Sequence, residues 1–130
     1  MRTHTWTRRA AALTLGAAAA LALTVGSANA AGNLATGSSG PAVVCLQRAL
    51  DDVDGAGLGQ DGQFGTLTRN AVVHFQSEHG LSADGVVGPN TGATVKNAVS
   101  QAYYAAHRAN DPSQVELGNW TSTCSSQLPG

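Results

Sequence analysis

Residues 58–91 read LGQDGQFGTLTRNAVVHFQSEHGLSADGVVGPNT and carry one pattern twice. Leu58-x-x-Asp61-Gly62-x-x-Gly65-x-x-Thr68 returns, displaced by 23 residues, as Leu81-x-x-Asp84-Gly85-x-x-Gly88-x-x-Thr91. Each copy stands directly ahead of a helical pattern, so each reads as a loop-to-helix joint. The aspartate can accept backbone N–H groups ahead of it and close a turn. The first glycine suits a positive φ, and the second suits a helix entrance. The threonine is placed to satisfy a free N–H of the first helical turn. Phe64 and Val87, the apolar residues inside the loops, are expected to tuck under the helices that follow.

Outward from this repeat the chain reads as helices. Gly40-Pro41 starts one, with proline in the first turn where its missing N–H costs nothing. Val43, Leu46, Leu50 and Val53 recur at three- and four-residue steps, which predicts an amphipathic helix over Pro41–Asp52. Leu67, Ala71, Val72 and Phe75 mark a second over about Thr66–His79, stopped by Gly80. A third begins near Pro89, and its stripe runs through Val95, Ala98, Val99, Ala102, Tyr103 and Ala106 until Asn110-Asp111-Pro112 breaks it. No sustained strand pattern appears, although Val86-Val87 can form a very short extended piece. The expected fold is all-α: a small three-helix bundle with two repeated loop joints and an extended third helix.

Met1–Ala30 is a different object. Arg2, Arg8 and Arg9 precede an uncharged Ala/Leu run, and Ala28-Asn29-Ala30 forms a small-residue exit. This predicts a secretory signal peptide; the apolar run is short of the roughly 20 residues a spanning helix needs. No membrane contact is expected once it is cleaved. The remainder holds four basic residues and all eight acids, a balance of −4. One small domain fits that length, and phosphate-directed nucleic-acid binding does not fit that charge. Residues 31–38, rich in Gly and Ser over Ala31–Gly40, read as a flexible lead-in.

Cys45 and Cys124 are the only cysteines. In an exported chain an even count favours a disulfide, here enclosing 78 residues. A competing reading makes Cys45 a nucleophile served by His74 or His79, and it leaves Cys124 unexplained.

The segments Val44–Leu50 (VCLQRAL), Asp61–Gln76 (DGQFGTLTRNAVVHFQ) and Gly80–Thr91 (GLSADGVVGPNT) together resemble the peptidoglycan-binding domain, a three-helix module commonly attached to cell-wall hydrolases. The similarity runs over roughly Ser39–Val95. Together with the residue readings above, the expected division is a leader at 1–30, a lead-in at 31–38, a helical domain at 39–110 and a disulfide-pinned tail at 111–130. One departure stands out: the family usually has Trp after the second threonine, and this chain has Gly92. Trp120 from the tail is a candidate to refill that space.

The resemblance implies a glycan or stem-peptide ligand, which needs exposed hydrogen-bonding groups beside apolar surface. Candidates in the first loop and helix start are Asp61, Gln63, Thr66, Arg69 and Asn70, with Phe64 as a floor. Arg69 can meet a stem-peptide carboxylate through paired N–H donors, or stand solvated on its helix. Gln47 and Gln76 read either as buried amides tying loop backbone or as ligand contacts.

Catalytic sets do not emerge. The histidines beyond the leader, His74, His79 and His107, form no HExxH or H-x-H motif, and no metal or cofactor is expected. Asp52-Val53-Asp54 with Gly57 misses the calcium-loop template at Ala56 and Gln63. Nothing selects a glycosidase carboxylate pair from the eight acids. Asn119-Trp120-Thr121 fits a glycosylation acceptor. The expectation is a secreted, non-catalytic, wall-associated module that binds peptidoglycan, with a separately encoded hydrolase as a further partner. The alternative is a protein–protein interaction or hydrolase-inhibitor module on the same fold.

Overall fold

Gly40 and Pro41 start α1 (Pro41–Asp54) as the sequence requires, with proline at the first helical position. In the computed structural model, which describes residues 31–130, three more helices follow: α2 (Thr66–Glu78), α3 (Pro89–Ala109) and α4 (Ser113–Cys124). The boundaries repeat a common logic. Gly65 and Gly88 stand at the N-caps of α2 and α3 in extended backbone, and Gly55 ends α1 in the left-handed region that a residue with a Cβ resists. Among the described residues there is no strand, only two isolated bridges, Leu34 with Val87 and Ser39 with Gln63.

The apolar stripes of α1, α2 and α3 close on one core. Val43, Leu46, Leu50, Phe75, Val95 and Val99 are fully buried there. Phe64 and Val87 join them from the two loops, as their place in the repeat predicts.

The segment read as a flexible lead-in is instead tied down. Ser38 accepts from the Phe64 N–H at 2.9 Å and Gly37 donates to the Phe64 carbonyl, while Leu34 and Val87 exchange both backbone bonds at 2.8 and 3.0 Å. Leu34 is buried. The Gly/Ser composition suggested freedom, but each joint leaves backbone groups that this strap satisfies.

The tail beyond Asn110 forms α4, a helix the sequence reading did not assign. Asn110 adopts the left-handed conformation at the end of α3, and the Asp111 carboxylate accepts the Ser113 N–H at 2.8 Å, which starts the next helix. Leu117, Trp120 and Cys124, at steps of three and four, form its buried face. That face packs against α3 and α1. Cys45 and Cys124 are disulfide-bonded with Cα atoms 5.4 Å apart, which removes the nucleophile reading of Cys45. Trp120 is fully buried and donates its indole N–H to the Cys45 carbonyl at 2.8 Å.

Trp120 does not fill the space beside Gly92. A Cβ on Gly92 would stand 1.9 Å from the Pro129 carbonyl oxygen, so the chain end itself occupies that position. Leu128 and Pro129 are buried, and the Lys96 ammonium donates to the Gly130 carbonyl.

Candidate functional site

Each loop of the repeat is organised by a buried glutamine from the helix before it. Gln47 of α1 directs its amide NH2 at the Asp61 carboxylate (2.9 Å), the Gln63 carbonyl (3.1 Å) and the Thr68 hydroxyl (3.1 Å), and its oxygen accepts the Gly62 N–H at 3.0 Å. Gln76 of α2 repeats every contact one joint later. Its NH2 faces Asp84 (3.0 Å), the Val86 carbonyl (2.9 Å) and Thr91 (3.1 Å), and its oxygen accepts from Gly85 at 2.9 Å. These amides are 2% and 1% exposed, so they hold loops and do not reach a ligand. The threonines therefore serve the glutamines and not the helix N–H groups for which their spacing seemed suited.

The aspartates have the same double duty. Asp61 accepts the Gln63 N–H and Asp84 the Val86 N–H, both at 2.9 Å. That backbone bond first, and the glutamine amide second, hold each carboxyl below its ordinary value. Gly62 and Gly85 sit at φ 70° and 73°, the positive φ that their place in the turn predicts.

The six candidate ligand residues do not act alike. Phe64 is 2% exposed and belongs to the core, so it offers no floor. Asp61 is committed to its turn. Gln63 contributes its backbone to the joint while its side chain is exposed, and Thr66, Arg69 and Asn70 are exposed on the first turns of α2. Arg69 leans away from the first loop: its Cγ lies 2.8 Å from where a Cβ on Gly85 would stand, and its charge helps lower the Asp84 carboxyl. It bridges toward the second joint.

A larger concavity lies elsewhere. A groove of about 760 Å³ runs along α3, with Ala98, Ala102 and Ala105 as apolar floor and Asp52, His79, Gln101, Tyr104 and Arg108 around it. A second hollow of about 430 Å³ continues past Asp52 and Ala102 to Glu116 and Leu117 of α4. Burial, then the nearby Glu116 charge, push the Asp52 carboxyl up. It is an open surface groove, not an enclosed pocket, with polar groups edging its alanine floor. Sequence reasoning did not find this groove: Ala98 and Ala102 read as part of a buried helix stripe, Ala105 was not singled out, and α4 was not foreseen.

The fold also gathers Asp54, His74 and Glu78 at the ends of α1 and α2. The His74-x-x-x-Glu78 spacing was visible in the sequence; the third member comes from a different helix.

Three curated relatives cover parts of this chain. It is 52% identical over 62 residues to the zinc D-Ala-D-Ala carboxypeptidase of Streptomyces albus G, covering 46% of this chain and 24% of that protein. It is 44% identical over 52 residues to the N-acetylmuramoyl-L-alanine amidase CwlM of Mycobacterium tuberculosis, covering 40% of this chain and 13% of that one. It is 55% identical over 38 residues to the amidase CwlL of Bacillus licheniformis, covering 29% and 11%. The chain thus spans about a quarter or less of these relatives' lengths. No solved structure matches it significantly. The family model described as a putative peptidoglycan binding domain matches residues 39–95, the same span the motifs delimit, with both glutamine-centred joints inside it. Over residues 39–95 this chain thus matches the peptidoglycan-binding family, with its motifs in the same order.

Proposed function

We propose that the protein is a secreted, non-catalytic module that attaches to peptidoglycan through the α3 groove. The observation that carries peptidoglycan binding is the family match over 39–95 with its two fully bonded joints; the groove, lined mostly by residues beyond 95, is put forward for its concavity alone. The basic start and apolar run of residues 1–30 support export; that segment lies outside the described residues. Among the described residues no helix is long and apolar enough to cross a membrane. Both thiols are consumed in the disulfide, which supports a role without thiol chemistry. The alanine floor suits the apolar face of a sugar or an alanine-rich peptide. Arg108 suits a carboxylate, and Gln101 and Tyr104 suit amides and hydroxyls.

Co-sedimentation of the purified protein with insoluble peptidoglycan tests the reading. Depletion from the supernatant is expected, with no loss of wall turbidity. Protein that stays in solution removes wall binding, and clearing of the wall by the protein alone removes the non-catalytic role. Two variant pairs decide the surface: Tyr104→Ala with Arg108→Ala should weaken retention by about 1–2 kcal/mol each, and Arg69→Ala with Asn70→Ala should leave it unchanged. The reverse pattern returns the site to the first joint.

The interaction-module reading rests on Leu67 and Val115, which are 75% and 65% exposed. They lie on α2 and α4 and form no described groove.

A further inference from the structure

We propose that Asp54, His74 and Glu78 form a binding site for a divalent transition-metal ion such as Zn²⁺, seated where the C-terminal ends of α1 and α2 meet. Asp54 is the last residue of α1 and Glu78 the last of α2. A helix C-terminus already carries partial negative charge, so a carboxylate at each of two converging ends calls for a cation between them.

Asp54 supplies the sharper observation. Its side chain is only 10% exposed, and its buried Oδ2 has no hydrogen-bond partner. A carboxylate oxygen withdrawn from water needs a compensating group. His74 faces it with Nδ1 at 3.7 Å, beyond hydrogen-bond distance, and on the other side His74 Nε2 stands 3.7 Å from Glu78 Oε1. The three groups face one another at ion-pair distance with no hydrogen bond between them.

One ligand atom from each residue lies within 4.8 Å of the other two. Tetrahedral zinc with bonds near 2.0 Å needs ligand atoms about 3.3 Å apart. Small side-chain rotations close that difference, because His74 and Glu78 are 65% and 53% exposed and free to adjust onto the fixed Asp54. One imidazole nitrogen with two carboxylate oxygens suits zinc-like ions over calcium, which takes six to eight oxygens. Three protein ligands leave the fourth position to water on the solvent side. The ion would clamp the end of α1 to the end of α2.

Isothermal titration of the purified protein at pH 7 with Zn²⁺, and separately with Ca²⁺, is the test. One equivalent of Zn²⁺ is expected to bind, with Ca²⁺ silent, and Zn²⁺ should raise the melting temperature. His74→Ala should weaken Zn²⁺ binding by at least about tenfold and abolish the melting shift. His74 is exposed, so circular dichroism should show that this variant folds; Asp54→Asn should behave alike. His79→Ala and His107→Ala should bind as the parent does. Absent or substoichiometric binding, or binding unchanged in His74→Ala, overturns the site and leaves a histidine bridging two carboxylates. Binding lost in His79→Ala or His107→Ala overturns it also.

Discussion

Gln76 offers two amide hydrogens to three acceptors and one oxygen to the buried Gly85 N–H, and it comes from one helix to hold the loop that starts the next. Replacing it by leucine keeps the volume and strands the buried Gly85 N–H, while the exposed Asp84 keeps its bond from the Val86 N–H. Gln76→Leu should therefore lower the unfolding free energy by about 3 kcal/mol, read by urea denaturation, and Gln47→Leu by a similar amount. The acid response follows from the same joints. Asp61 and Asp84 titrate below the ordinary 3.8 when folded, so the unfolded chain takes up protons first. Their contribution is fully present above that value and is lost as pH falls through the folded values. Melting temperature should drop below about pH 4, and Asp84→Asn should flatten that drop. Asp52 acts in the opposite sense: burial raises its value, so its contribution fades as pH rises past 3.8. Asp52→Asn should raise the melting temperature at pH 7. The Asp and Gly roles were legible because a turn imposes them locally. The Thr role was not, since its partner arrives from another helix.

At the scale of elements, the end of the chain and α3 compete for one place. Alanine at position 92 favours the helix by up to ~1 kcal/mol over glycine. Its Cβ would collide with the Pro129 backbone, and a backbone atom does not yield cheaply. Gly92→Ala should thus lower the melting temperature, and the same change in a chain ending at Gln127 should raise it. If Gly92→Ala stabilises both forms equally, the chain end does not dock as described. Helix α4 is held by Trp120 and the disulfide. Trp120→Ala removes a fully buried indole and its bond to Cys45, for a loss of about 3–5 kcal/mol by chemical denaturation. Reduction of the disulfide releases a 78-residue loop, worth up to about 4.5 kcal/mol in the loop-entropy account. The Leu117, Trp120 and Cys124 spacing is the one sequence signal of this helix, too short to assign it without its packing partners. Asn110-Asp111-Pro112 breaks α3 and, through Asp111, also opens α4.

Over the whole molecule, helices, loops and chain end produce two distinct surfaces. One is the pair of joints, where exposed polar residues lie over buried amides. The other is the α3 groove, completed by the ends of α1 and α2 and by the start of α4. Since exposed charges are screened at physiological salt, wall attachment through the groove should weaken only modestly between low and high salt in the sedimentation assay. A steep salt dependence would point to charge attraction at the acidic surface instead.

The sequence alone determined the three helices and the repeated joint, favoured the cysteine pairing and carried the family resemblance. Each depends on periodicity, turn chemistry or residue counting, which act over a few neighbours or need no geometry at all. Tertiary structure decided which polar residues remain available. It buried Phe64, Gln47 and Gln76, turned Arg69 toward the second loop, and replaced Trp120 by Pro129 beside Gly92. It also brought Asp54 to His74 across 20 residues of chain. Burial and convergence are set by how helices pack, and helix packing depends on atoms that lie far apart in the chain.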